Sequence, residues 1–323
     1  MVYTEYAPFN PVHSCYHPST VRCNCYPAEA LCSPDPRLLI FDSRAPTFQK
    51  NGIKEYSFLS LPNLSFVTGF IIPRHYYVNL STVGIIADHF PNLQHVSLEQ
   101  WRKFGDHHDE YHLLRKILQV QPPKLQSFSA FLDINVLAAS SLRGKLRESD
   151  IRSTQWLRIR SRQYTKINVS YFMDAKHFFD SSMWDSPEDL YWPNLEEFTM
   201  TSNLLNSDSS DSYVGMLQNA AKAVLRMPKL RMLQIWFGFI TELCVFRYKK
   251  DRGEHTIEWI CTKTARRGPG KQVIKAWQSV VKKDHGAPLR IKQAYLIVIK
   301  DKYFRSVHPV IDGCDRINLE IYA

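Results

Sequence analysis

Hydrophobic and polar positions follow one recurring pattern along most of the chain. A Pro-x-Leu-x-x-Φ-x-Φ string, with Φ apolar or small, begins at Pro62, Pro91, Pro123, Pro193 and Pro228. The intervals are 29, 32, 70 and 35 residues. The interval of 70 holds two periods, and the strand-like run Lys166–Met173 falls inside it, so six units are expected. Within each unit the apolar residues two apart read as a half-buried strand. The segments before the prolines carry helical spacing. Val214, Leu217, Ala221, Val224 and Leu225 share one face of 212–227, and Tyr111, Leu114, Ile117 and Leu118 share one face of 109–120. A proline then ends the helix and biases the preceding residue to extended backbone.

Helix, proline and strand repeated in this way predict an α/β fold. The expected form is a leucine-rich-repeat-like solenoid with parallel strands on its concave face. After Trp236 the pattern changes. Leu243–Lys249 and His255–Thr262 flank Asp251-Arg-Gly253 as a hairpin, 271–283 reads as a helix with Ile274, Trp277 and Val281 on one face, and 290–300 reads as a strand. This part is expected to form a C-terminal α+β lobe that closes the solenoid. Residues 1–50 hold seven of the 18 prolines and four of the seven cysteines, which leaves no regular period. The expected division is an irregular arm over 1–50, repeats over 51–238 and a basic capping lobe over 239–323.

Composition excludes several classes. With 44% apolar and 22% charged residues in a chain of 323, the protein is neither disordered nor a small disulfide scaffold. No basic leader followed by an apolar run opens the sequence, and no run approaches the roughly 20 apolar residues of a membrane helix. A cytoplasmic or nuclear protein with reduced thiols and no membrane contact is expected. The net charge of +10 is uneven: residues 246–305 carry +11 and the remainder −1.

Several separate blocks suggest a family. They are Ser170–Phe179, Trp192–Leu195, Thr199–Ser202, Ala220–Leu230, Ile235-Trp236, Cys244–Tyr248, Thr256–Trp259, Val273–Trp277 and Val307–Pro309. Their order resembles an uncharacterised C-terminal domain of filamentous-fungal F-box-type proteins, from about residue 60 to the end. The resemblance implies a leucine-rich-repeat-like fold, substrate recruitment to a ubiquitin ligase with a cullin-ligase adaptor as partner, and no catalytic residue. The chain departs from the F-box pattern: residues 1–50 offer only Pro27-Ala-Glu29, then Pro34 and Pro36, where three helices would be needed.

Two surfaces are candidates for binding. In L-x-x-Φ-x-Φ the intervening residues point away from the core, which selects Glu99, Phe131, Thr199, Gln234 and Trp236. Phe131 and Trp236 are expected in one row, with Phe172 joining them from the degenerate unit. Exposed aromatics there would anchor a protein partner; the alternative is that a loop or the C-terminal lobe covers them. The second surface is the basic lobe. Lys249, Lys250 and Arg252 gather at the hairpin tip, and Arg266, Arg267 and Lys271 surround Gly268-Pro-Gly270 at a helix start. They would suit an anion, nucleic acid or an acidic segment; the alternative is a solvated surface.

No catalytic set emerges. His107, His108 and His112 lack the glutamate that a zincin places after the first histidine. His13, Cys15, His17, Cys23, Cys25 and Cys32 match no standard zinc spacing, and Cys244, Cys261 and Cys314 are expected to be buried and inert. The expectation is a non-enzymatic interaction protein without metal or cofactor, the alternative being a polyanion- or nucleic-acid-binding protein.

Overall fold

The computed structural model describes residues 38–40, 62–72, 87–101, 124–133, 151–183, 191–206, 210–239, 242–262, 268–283 and 288–295. They belong to one compact unit, Arg37–Ala323. The expected helix at 109–120, the expected arm over 1–50 apart from residues 38–40, and the histidines at 107, 108 and 112 lie outside them, as do Arg266, Arg267 and Cys314.

The architecture is mixed α/β on one open sheet. Its ten strands lie in chain order: β1 (Leu38–Ile40), β2 (Gly69–Ile72), β3 (His95–Trp101), β4 (Ser127–Asp133), β5 (Lys166–Ser170), β6 (Glu197–Thr201), β7 (Met232–Phe239), β8 (Glu242–Asp251), β9 (Glu254–Cys261) and β10 (Leu289–Tyr295). Pairing is parallel from β1 to β7, antiparallel through the β7–β8–β9 meander, and parallel again between β9 and β10. Four helices accompany it among the described residues: α1 (Ile151–Arg160), the short α2 (Ala175–Phe178), α3 (Ser210–Val224) and α4 (Gly270–Lys283).

The repeat has a physical basis. The Leu of Pro-x-Leu is buried at 93, 125, 195 and 230 and half-buried at 64, in the first unit. One residue earlier, side chains tie successive units: Asn92 Nδ2 donates to the Ser65 carbonyl at 2.7 Å, Lys124 Nζ to Asn92 Oδ1 at 2.6 Å, and Lys229 Nζ to Asn194 Oδ1 at 3.0 Å. At the strand entry one carbonyl accepts from two consecutive N–H groups of the next unit. Thr68, Gln94, Gln126, Thr165 and Glu196 each do so, at 2.8–3.1 Å. Every unit thus repeats the same backbone connection, and register follows from it.

The helix side of the sheet holds most of the apolar core. Phe128, Ile167, Phe198 and Leu233 lie opposite one another there, as do Ala130, Val169, Met200 and Ile235. Phe178 and Phe179 pack tilted against Phe198 at 4.8 and 5.2 Å between ring centroids. At the C-terminal end Trp277 of α4 packs against Phe246 and Tyr248, at 5.1 and 4.8 Å, and donates its indole N–H to the Leu217 carbonyl of α3 at 3.2 Å.

Sequence expectation and structure differ in detail. The apolar face of α4 is Val273, Trp277, Val280 and Val281, with Ile274 only half-buried, because the helix turns its Val273 edge inward. The face of α3 is centred on Tyr213, Leu217, Ala220 and Val224, leaving Val214 half-exposed. β7 pairs along its whole length, Met232–Phe239 against Glu242–Lys249 of β8. The hairpin is found with a two-residue loop, Arg252-Gly253, between Asp251 and Glu254. Both loop residues have positive φ, 47° and 81°, the combination a type I′ turn requires.

Candidate functional site

The face opposite the helices is polar, and register arranges it in rows. The first row contains His95, Ser127, Lys166, Glu197, Met232 and Lys249. The second contains Ser97, Ser129, Asn168, Thr199, Gln234, Arg247 and Glu258. In the third, Glu99 lies opposite Phe131, Phe131 opposite Ser170, and Thr201 opposite Trp236. Ser170 and Thr201 follow the paired Val169 and Met200, so they occupy the same row.

The rows differ in burial. His95 is exposed, and the rest of the first row named here is half-buried. The second row sinks progressively: Ser97 and Ser129 are half-buried, Asn168 and Thr199 are buried, and Gln234 is 0% exposed. The third row is sealed from Phe131, at 3% exposure, to Trp236, at 0%. The expectation that Phe131, Phe172, Thr199, Gln234 and Trp236 stand open on this face is therefore corrected; of the six residues only Glu99 is even half-exposed. The place expected for Phe172 in the row is taken by Ser170, because β5 ends there and Phe172 lies beyond it, fully buried.

Tyr171 supplies part of the cover. Its φ of 64° puts a non-glycine residue in the left-handed region, at a cost of about 1–2 kcal/mol. The conformation brings its ring edge-on to both Phe131 and Trp236, at 5.8 and 5.1 Å. Between those two aromatics the row holds only Ser170 and Thr201, and Tyr171 spans the interval. Its hydroxyl donates to the Gly238 carbonyl at 2.8 Å, and its backbone N–H donates to Thr201 Oγ1 at 2.7 Å. Three residues on, Asp174 caps α2: Oδ1 accepts from Lys176 N at 2.9 Å and Ser202 Oγ at 2.6 Å, and Oδ2 from Asn203 N at 3.0 Å. The sequence reading missed both Tyr171 and Asp174. Asp followed by Ala-Lys-His is an N-cap signal that was available.

The polar centre is charged as well as buried. Arg247 donates Nε to Gln234 Oε1 and Nη1 to Glu258 Oε2 at 3.1 Å, while Lys249 Nζ lies 3.5 Å from the same carboxylate. Both cations thus reach the Glu258 carboxylate. On the same face of the sheet Ser170 Oγ, Gln234 Nε2 and Trp236 Nε1 are buried without a hydrogen-bond partner among the described residues. Each such group costs about 1–3 kcal/mol in a sealed site.

The basic lobe is less uniformly cationic than its sequence. Besides Lys249, Arg290 pairs with Glu254 at 3.0 Å. Lys250 is half-buried, whereas Arg252 and Lys271 are exposed. A further block of charge is on α4, whose exposed face carries Lys271, Lys275 and Lys282 and whose sequence holds no acid. Lys283 turns back to donate to the Leu225 carbonyl at 2.9 Å.

Titration properties follow burial. The Tyr164 hydroxyl is pushed well above the ordinary tyrosine range by burial, with Arg160 pulling against it. Partial desolvation of its ring holds His95 below the usual histidine value although the residue is exposed. Burial does the same for His177, reinforced by Lys176 and opposed by Asp174 and Asp180. Among the described residues no three His, Cys, Asp or Glu side chains are grouped to hold a metal ion. Cys244 and Cys261 are buried, opposite each other on β8 and β9. No helix among the described residues is long and apolar enough to cross a membrane.

The sequence profile of a family of unknown function (DUF6546) matches residues 95–314, more than half of the chain. The chain belongs to that family. No curated protein and no solved structure matches it. The DUF6546 span opens at His95, the first residue of β3, and runs past the end of β10. It therefore takes in the sunken polar rows, Tyr171 and the cationic helix α4 together.

Proposed function

We propose that this protein is a non-enzymatic interaction module of the leucine-rich-repeat-like solenoid kind, with the polar face of the sheet as its receptor surface. One observation carries the reading. The first row presents His95, Ser127, Lys166, Glu197, Met232 and Lys249 at matched positions on six neighbouring strands, His95 exposed and the other five half-buried, none of them sealed. Aligned polar positions that the core does not need are suited to reading a partner. The aromatics expected to anchor that partner serve instead to stiffen the floor beneath it. The resemblance to F-box-type proteins gives the reading a context, substrate recruitment to a ubiquitin ligase.

The test compares two variants in affinity capture. His95→Glu with Met232→Lys alters the first row and leaves the Lys166–Glu197 pair, 2.8 Å apart, intact. Lys275→Glu alters only α4. A partner kept by the second variant and lost by the first supports the receptor face; the opposite pattern overturns it. Direct mixing with a purified cullin-ligase adaptor tests the ligase context, and absence of a complex removes it.

The lysines of α4 favour a second reading, polyanion binding. Three exposed lysines on one helical face, with no acid in the helix, make a compact cationic stripe. Binding to a labelled single-stranded oligonucleotide would then weaken steeply with salt, with a logarithmic slope of about −0.7 per neutralised phosphate. Lys271→Glu with Lys282→Glu should abolish it.

A further inference from the structure

We infer that Cys244 and Cys261 form a redox modification site, a dithiol that a small disulfide oxidant closes to a cross-strand disulfide. Both stand as thiols in the hairpin of β8 and β9, and the register sets them directly opposite each other. Hydrogen bonding fixes the kind of opposition. Thr262 N donates to the Leu243 carbonyl at 2.9 Å and Leu243 N to Thr262 Oγ1 at 3.0 Å, so 243 and 262 form a hydrogen-bonded pair. Antiparallel pairs alternate, which makes Cys244 and Cys261 a non-hydrogen-bonded pair. The other neighbour of β8 agrees. Lys250 N donates to the Arg231 carbonyl at 2.7 Å, and alternation from there makes Phe237 and Cys244 a hydrogen-bonded pair. The backbone polar groups of Cys244 therefore point to β7 and not to β9.

This geometry suits a bridge. Non-hydrogen-bonded partners stand about 4.5 Å apart at Cα, within the roughly 4.4–6.8 Å that a disulfide spans, and their side chains approach more closely than those of the other pair type. Both side chains take the helix side of the sheet, Cys244 with Phe246 and Tyr248, Cys261 with Trp259. They are 1% and 0% exposed. Burial makes each an inert thiol by itself; the register adds a partner. Access comes from the strand ends. Cys261 closes β9, Cys244 lies two residues into β8, and the flanking Thr262 and Glu242 are half-buried. Such ends open locally without global unfolding. The thiolate of one cysteine then attacks the oxidant RSSR, whose S–S bond breaks, giving a mixed disulfide and one RS−. The second thiolate attacks the protein sulfur of that mixed disulfide, forms the Cys244–Cys261 bond and expels the other RS−. The protein gives up two electrons and two protons, and the oxidant becomes two RSH. The bridge closes a covalent ring through the Arg252-Gly253 loop, with the Arg247–Glu258 ion pair inside it.

Peptide mapping of the full chain reads the bond directly. The folded protein is incubated with excess oxidised glutathione, remaining thiols are alkylated, and trypsin is added. Cleavage after Arg231, Arg247, Arg252 and Lys263 separates 232–247, which holds Cys244, from 253–263, which holds Cys261. The expected product is these two peptides joined, at a mass two hydrogens below their sum, and parted again by a reductant. The other cysteines lie in other peptides, so any different linkage is recognised. In urea the oxidised protein should unfold at a higher midpoint than the reduced one, because the ring restricts the unfolded chain. Cys261→Ala should abolish that difference. Recovery of both cysteines as alkylated thiols, of either as a glutathione adduct or joined to a different cysteine, or of a joined pair that forms only in urea overturns the proposal. So does a midpoint that oxidation leaves unchanged or lowers, or a rise that persists in Cys261→Ala. The map needs no variant and stands if Cys261→Ala does not fold. The site does not rest on the interaction reading, because the bond is read whether or not the sheet takes a partner.

Discussion

The parallel strands β2–β7 and the closing β8–β10 part are held together in different ways. In the first, each unit makes the same connection to the next, a carbonyl serving two N–H groups and a buried Leu beneath them. In the second, the connections are individual: a two-residue hairpin, ion pairs across strands, and one tryptophan wedged between α4, α3 and the sheet. A repeated connection spreads stability over many equivalent contacts. A single closure concentrates it in a few side chains, so the two regions should respond differently to substitution.

The largest effect should come from Trp277→Ala. It removes a fully buried indole that touches Phe246 and Tyr248 and satisfies the Leu217 carbonyl. A loss of about 3–5 kcal/mol is expected, read from urea unfolding. If closure is local, hydrogen exchange should open α4 and β8–β10 first while β5 and β6 stay protected. Uniform opening of the sheet would break the comparison.

The same difference explains what the sequence disclosed. The repeat was readable because every unit solves the same packing problem, so Leu93, Leu125, Leu195 and Leu230 announce one another. The strand within the long interval was readable for the same reason, and β5 is found there. The hairpin was readable from Gly253 and its flanking alternation. Its ion pairs were within reach too: a two-residue loop at 252–253 fixes the register and sets Arg247 opposite Glu258. A count of charges without that register gives the net charge of the lobe but not which of its cations are paired. The burial of Phe131, Gln234 and Trp236 was not readable. Alternation says which face a side chain takes, not what lies over that face. Here the cover includes Tyr171, a residue outside any strand whose backbone conformation no local pattern signals.

Tyr171→Phe sharpens this point and ranks second. The ring contacts with Phe131 and Trp236 remain, but the bond to the Gly238 carbonyl is lost. Leaving that carbonyl unmet should cost about 1–3 kcal/mol in denaturant unfolding. An effect indistinguishable from zero would show that the ring alone closes the third row.

Arg252→Asn is expected to act in the opposite direction. Arg252 holds φ 47° in the hairpin loop, where asparagine is accommodated with less strain. A gain of about 0.5–1 kcal/mol is expected. Because Arg252 is also an exposed cation at the hairpin tip, oligonucleotide affinity separates the two parts of the lobe. Unchanged affinity would leave polyanion binding to α4 alone, and a marked loss would return the hairpin tip to it.

The smallest effect is one of pH, and it falls on the repeat region. His177 follows the α2 cap and lies near Lys176, Asp174 and Asp180. Burial and the lysine hold its pKa below the ordinary value of 6.5. The folded protein therefore binds this proton less readily than the unfolded chain does. Its contribution is full above pH about 6.5 and declines as pH falls through that value toward the lower folded pKa. His95, lowered by partial desolvation, has the same sign. Unfolding midpoints measured between pH 7.5 and 5 should drift downward, and His177→Gln should remove part of the drift. A steeper drift in Trp277→Ala would place the acid sensitivity in the closing part, against the assignment to the α2 turn.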